Sequence, residues 1–222
     1  MIHLSLSPRR TFAVLFVALL SVSAAFGVSA QKKKSEDAPV TIADLSLRDN
    51  LLSPTVPSKQ RASLVEHMKR EGQGLYRLKY TVETERQGEV LVITIPAVSL
   101  FLPNETELRV GASDLLAPFA DYLSSSGRYK VLLAMHSDNI GSDAYRQSLT
   151  DARIASIVDW FKENADSTDN LAAYAMSDSQ PLFPNNSMAN RAANRRLEIF
   201  IVPDTPLIST PVAYTQLTRP AQ

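Results

Sequence analysis

The sequence predicts an α+β fold, a mixed β-sheet with two helices packed on it, in the order strand, strand, helix, strand, helix, strand, strand. Three observations carry that prediction. Tyr76, Leu78, Tyr80 and Val82 alternate with polar residues, the period-two pattern of a half-buried strand, and residues 90–95 (Val-Leu-Val-Ile-Thr-Ile) form the short, β-branched run of a buried one. Further on, Ile154, Ile157, Val158, Phe161 and Ala165 recur at the spacing of one helical face. Helices lying between strands permit a parallel pair, while the first hairpin and the last connection point to antiparallel edges, so both kinds of pairing are expected in one sheet.

The first two strands are joined by Glu85, Arg86, Gln87 and Gly88, a polar tetrapeptide suited to a tight turn. Between residues 107 and 124 the period becomes helical, with Leu116, Phe119, Ala120 and Leu123 on one face. Ser113 and Asp114 are candidates to cap its first amides, Pro118 shortens or kinks it, and Gly127 ends it. Residues 129–134 (Tyr-Lys-Val-Leu-Leu-Ala) are the third strand. Ser142 or Asp143 starts the long helix, which runs to about Asn164. Residues 172–176 and 197–202 are the closing strands, separated by a polar loop rich in Asn, Pro and Ser.

At 222 residues, 45% hydrophobic and 21% charged, the chain has material for one well-filled domain with non-globular flanks. Residues 12–27 are apolar, follow Arg9 and Arg10, and give way to small residues ending Val28-Ser29-Ala30. That is the layout of a secretory signal peptide at residues 1–30, and it places the mature protein in the periplasm. The alternative is an uncleaved membrane anchor, since no charge interrupts residues 11–31. Residues 31–75 form a linker, partly disordered, in which residues 63–69 carry too small an apolar stripe to hold a helix without a neighbour. The folded domain is expected at residues 76–203, followed by a disordered, proline-dotted tail at residues 204–222.

Lys plus Arg and Asp plus Glu both total 23, so no net field favours nucleic acid or an anionic membrane as the main partner. The absence of cysteine excludes disulfides, thiolate metal sites, cysteine nucleophiles and a lipid on an N-terminal cysteine. His3, His67 and His136 fall in the leader, the linker and a strand end, which leaves little for a histidine metal site or triad. His136-Ser137-Asp138 has the composition of a triad, but neighbours at a strand end point in alternating directions and cannot form a relay. No cofactor or metal is expected.

Three separated motifs remain: residues 136–142 (His-Ser-Asp-Asn-Ile-Gly-Ser), 149–153 (Leu-Thr-Asp-Ala-Arg) and 190–199 (Asn-Arg-Ala-Ala-Asn-Arg-Arg-Leu-Glu-Ile). In this order and spacing they resemble the OmpA-like peptidoglycan-binding family, whose pattern reads roughly GHTDxxGSxxYNxxLSxxRAxxV and then NxxxxGRxxNRRVEI. The likeness covers residues 88–203. It implies a mixed sheet with helices and, as ligand, the diaminopimelic acid of the cell-wall stem peptide. Asp138 stands at the family's ligand-binding aspartate and Arg153 at its arginine. The resemblance therefore implies that Asp138 accepts hydrogen bonds from the ligand's ammonium group and that Arg153 grips its carboxylate.

That chemistry is coherent, because the free end of diaminopimelate is a zwitterion and needs one anion and one planar bidentate cation a few Å apart. Spacing alone does not bring the two residues together, since one ends a strand and the other lies about three turns into a helix. Without the resemblance, the plainer reading has Asp138 as an Asx turn or loop cap before the helix and Arg153 in a surface ion pair with Asp151 or a nearby acid. Ser137, Asn139, Arg146, Thr150 and Arg196 are further candidates to line the pocket, with Asn139 and Thr150 mainly shaping loop and helix, and Arg195 is expected to remain a solvated edge charge.

The sequence departs from the pattern at four places. Met135 replaces a glycine, Arg146 an asparagine, Ile154 an alanine, and Ala175-Met176-Ser177 a glycine-rich strand end. A longer cation at 146 either repels the ammonium or gives a carboxylate a second grip. Met135 and Ile154 flank apolar positions and point to altered core packing. The expected function is non-enzymatic, non-covalent binding of peptidoglycan that tethers the envelope to the wall, without a transmembrane barrel. Residues 31–75 are available to other envelope proteins, and outer-membrane association is compatible with this role. The alternative is a protein-interaction subunit of an envelope complex that keeps the fold and has lost wall binding. A wall hydrolase would have to draw its acid and base from Asp138 with Asp143 or Asp151.

Overall fold

The computed structural model describes residues 41–209; the expected signal peptide at residues 1–30, residues 31–40 and the residues from 210 on lie outside the described residues. One sheet has the strand order β1-β2-β5-β3-β4, with β1 Thr81–Glu85, β2 Val90–Pro96, β3 Tyr129–His136, β4 Leu171–Ser177 and β5 Arg196–Pro203. The expected hairpin joins β1 and β2 through a turn at Arg86–Gly88. The pairs β1/β2, β2/β5 and β5/β3 are antiparallel and β3/β4 is parallel. The mixed α+β class is as predicted.

The last strand, however, lies in the middle of the sheet rather than at an antiparallel edge. Its composition explains this: Leu197, Ile199 and Ile201 join one core cluster while Phe200 and Val202 join another, so the strand is apolar on both faces and needs cover on each.

On one face, Leu91, Ile93, Val131, Leu133, Ile199 and Ile201 meet helices α2 (Ser58–Arg77), α4 (Ala112–Ala120) and α5 (Asp143–Asn164). Helix α2 corrects the linker expectation. Its stripe of Leu64, Met68 and Leu75 is too small to fold alone, but the sheet supplies the missing neighbour, and all three are buried. His67, expected in the linker, is buried within 2.6 Å of the Tyr129 hydroxyl. The alternation at Tyr76 and Leu78 loses to this helical stripe; both side chains stay exposed, and the strand begins only at Thr81.

The opposite face packs Val92, Leu132, Phe200 and Val202 beneath Leu51 of α1 (Leu47–Leu52), with Ile42 and Leu47 alongside. Lys130 fastens this cover: its Nζ donates to the carbonyls of Asn50 at 2.9 Å and Ser53 at 2.6 Å. The start of the expected tail is also ordered, because Leu207 and Ile208 in a short helix after β5 are buried.

Helix α5 has the predicted bounds, with Ser142 as its cap accepting from the Tyr145 amide. Helix α4 instead starts from Gly111 in a left-handed conformation, and Ser113 spends its hydroxyl on the Trp160 indole N–H. Met135 and Ile154 both lie in the core, as their apolar neighbours require.

Candidate ligand-binding site

The site is built where β3 runs out. A register shift at Met135 and His136 lets the chain leave β4, and the Ser137 amide makes a last bond to the Ser177 carbonyl at 2.7 Å. Asp138 then turns the chain: its Oδ1 accepts from the Ile140 amide at 3.0 Å, an Asx turn. Gly141 follows with φ of 92°, and a Cβ there would stand 2.8 Å from the Tyr145 ring, so both backbone and space demand glycine. Ser142 then caps α5.

Helix α5 aims Tyr145, Leu149 and Arg153 along one side at four-residue intervals. The short helix α3 (Ala97–Leu100) and the loop after it form the facing wall, with Phe101, Leu102 and Asn104. A helix ahead of β5, Met188–Asn194, closes the third side with Arg191 and the following Arg195. Ser187 caps it, and the buried amide of Asn194 fastens the preceding loop through Phe183 and Asn185. These walls enclose about 390 Å³, the size of a small-ligand pocket.

Asp138 and Arg153 both line this cavity. Each is nearly buried, at 5% and 6% exposure. Arg153 is held rather than merely present: Nε donates to the Glu105 carbonyl at 2.8 Å, Nη2 to the Leu102 carbonyl at 3.3 Å, and the guanidinium sits 4.9 Å from the Phe101 ring centroid. Burial pushes its pKa below the ordinary arginine value, with Tyr145 opposing that shift and the like charge of Arg195 adding to it. The surface pair with Asp151 does not form, since Asp151 accepts from Gln147 instead. Asp138 combines its turn with a second bond, Oδ2 accepting from Arg195 Nη1.

The remaining candidates divide. Ser137 and Arg146 line the cavity. Arg146 is tied to Asp143 at 2.6 Å and Asp178 at 3.1 Å, so acids outside the cavity already neutralise it. Asn139 points to solvent, and Thr150 donates back to the carbonyls of Arg146 and Gln147, so neither reaches the cavity. Arg196 is a correction. It is buried on the far face of the sheet, bonded to Glu198 at 2.8 Å and to the carbonyls of Asn194 and Gln180. Its neighbour Arg195, expected to be solvated, is the one at the site. Side chains alternate at the strand start, so only one of the two arginines can face the cavity. Arg191 was not singled out by the sequence reading, although it lies in the third motif, on the short helix that ends just before Arg195.

Residues 100–195 match the model of the OmpA family. The outer-membrane lipoprotein YfiB of Pseudomonas aeruginosa is 30% identical over 102 residues, which is 46% of this chain and 61% of that protein; the chain thus spans less than two thirds of this curated relative. The solved cell wall anchor of the T6SS from Pseudomonas aeruginosa is 27% identical with a TM-score of 0.50, covering 64% of this chain and 97% of that one. A MotB-like protein from Desulfovibrio vulgaris, at 21% identity, shares the fold with a TM-score of 0.57 over 66% of this chain and 97% of its own. The motif spacing, the five-stranded mixed sheet and these likenesses agree: residues 100–195 are similar to the OmpA family domain.

Proposed function

We propose that the protein binds cell-wall peptidoglycan non-covalently and without enzymatic action, taking the zwitterionic end of diaminopimelate into the cavity at the end of β3. The observation that carries this reading is that Asp138, after a strand, and Arg153, well inside the following helix, line one small-ligand cavity. Asp138 receives the ammonium group, and the Nη1 of Arg153, with Nε and Nη2 already committed to carbonyls, is directed to the carboxylate. The pairing works only because protein dipoles orient both groups before the ligand arrives. The likeness to a cell wall anchor and an outer-membrane lipoprotein supports a tethering role in the envelope. A secretory leader at residues 1–30 and a periplasmic location are parts of the same proposal. No helix among the described residues is long and apolar enough to cross a membrane.

A single zwitterion pocket binds weakly by itself, and retention on the wall comes from the many repeats of the polymer. Co-sedimentation of the purified protein with protein-free sacculi tests the reading, with thermal melts as the folding control. A second reading, an interaction subunit that has lost wall binding, is favoured by the engagement of Asp138 by Arg195. It predicts that the folded protein stays in the supernatant and co-purifies with envelope proteins.

A further inference from the structure

Four arginines line the cavity, Arg146, Arg153, Arg191 and Arg195, against a single acid, Asp138. Two of the four are compensated: Arg146 by Asp143 and Asp178 from outside, and Arg195 by Asp138. The hydrogen bonds of the other two run to main-chain carbonyls, from Arg153 to Glu105 and Leu102, and from Arg191 Nη1 to Asn185 at 3.0 Å. Carbonyl dipoles orient a guanidinium without cancelling its charge. Arg191 spends one of its five N–H donors in this way, which leaves the rest of its fork for another acceptor. Burial lowers the pKa of Arg153, Tyr145 opposes that shift, and the nearby Arg195 adds a smaller lowering.

A zwitterion carries no net charge and does not correct this excess. Its entry leaves the excess at two and moves it, because an ammonium group on Asp138 displaces Arg195 while the carboxylate takes one arginine. Three cations then face one carboxylate. We propose that Arg191 and Arg195 form a subsite for a second free carboxylate, the glutamyl α-carboxylate next to diaminopimelate in an unamidated stem peptide. The recognised unit is then one ammonium flanked by two carboxylates, and Arg195 passes from an internal partner to the ligand. Arg191, on the helix Met188–Asn194, and Arg195, the extended residue that ends it, both line the cavity, where two guanidiniums can address one anion.

This inference rests on the wall-binding reading, and the experiment separates the two. The purified protein is titrated calorimetrically with a soluble disaccharide-tripeptide whose glutamyl α-carboxyl is free, and with the same compound as its carboxamide. The amide removes the charge and leaves the shape nearly unchanged. The expected result is about tenfold weaker binding of the amide, about 1.4 kcal/mol. An Arg191→Gln variant with an unchanged thermal melt is expected to bind both compounds alike, at the affinity of the parent for the amide. If that variant does not fold, the comparison of the two compounds on the parent decides alone. Equal binding of both compounds by a parent that still pellets with sacculi overturns the subsite and leaves the wall-binding reading standing. A parent that binds neither compound and does not pellet overturns both.

Discussion

Arg195 and Arg196 are neighbours in the chain, yet they serve two ionic groups on opposite faces of one sheet. Arg196 is sealed under the N-terminal segment's face with Glu198, whose Oε2 lies 3.4 Å from His136 Nε2. Arg196 and Glu198 are only 3% and 5% exposed at their side chains. Arg195 is 44% exposed and reaches Asp138 at the mouth of a cavity. The difference is one of access. In the enclosed group, Glu198 and the carbonyls of Asn194 and Gln180 engage the three guanidinium nitrogens, and the arrangement serves the fold. In the open group, donors remain on Arg153, Arg191 and Arg195 for a guest.

The largest expected effect breaks the enclosed group. Glu198→Ala leaves a buried guanidinium without its acid and is expected to cost about 3–5 kcal/mol in urea unfolding. The molecules that remain folded should bind the wall as before. A smaller loss is expected from Leu51→Ala, which thins the cover over the same face: about 2–3 kcal/mol by the same measurement, at the lower end for a leucine packed on one side. Smallest is Arg195→Ala, whose half-exposed ion pair contributes about 1 kcal/mol or less. If Arg195→Ala proves as destabilising as Glu198→Ala, the contrast between an open and an enclosed group fails.

The sequence disclosed β2 to β5 and the long helix because their patterns are strong: residues 90–95 and 129–134 are nearly all apolar, and α5 repeats Ile154, Ile157, Val158 and Phe161 on one face. It did not disclose α2, whose sparse stripe of Leu64, Met68 and Leu75 gains meaning only against a sheet formed later in the chain. A fragment starting at Gly88 would lack both that helix and β1. At the site, Asp138 and Arg153 were legible through motif spacing, which also marked Ser137 and Arg146. The exchange of Arg195 for Arg196 was not. Which of two adjacent arginines faces the cavity depends on the phase of β5, and that phase is set by pairing with β2 and β3.

The facing wall of the cavity was missed for a related reason. Phe101 and Leu102 contribute a ring face and a carbonyl to Arg153, roles that leave no pattern in a single sequence.

The most direct test of the central claim is co-sedimentation of the purified protein with protein-free peptidoglycan, beside Asp138→Ala and Arg153→Ala variants shown to be folded by their thermal melts. The parent is expected to pellet with the wall while both folded variants remain in the supernatant. A folded parent that stays in the supernatant, or variants that pellet as well as the parent, would contradict it.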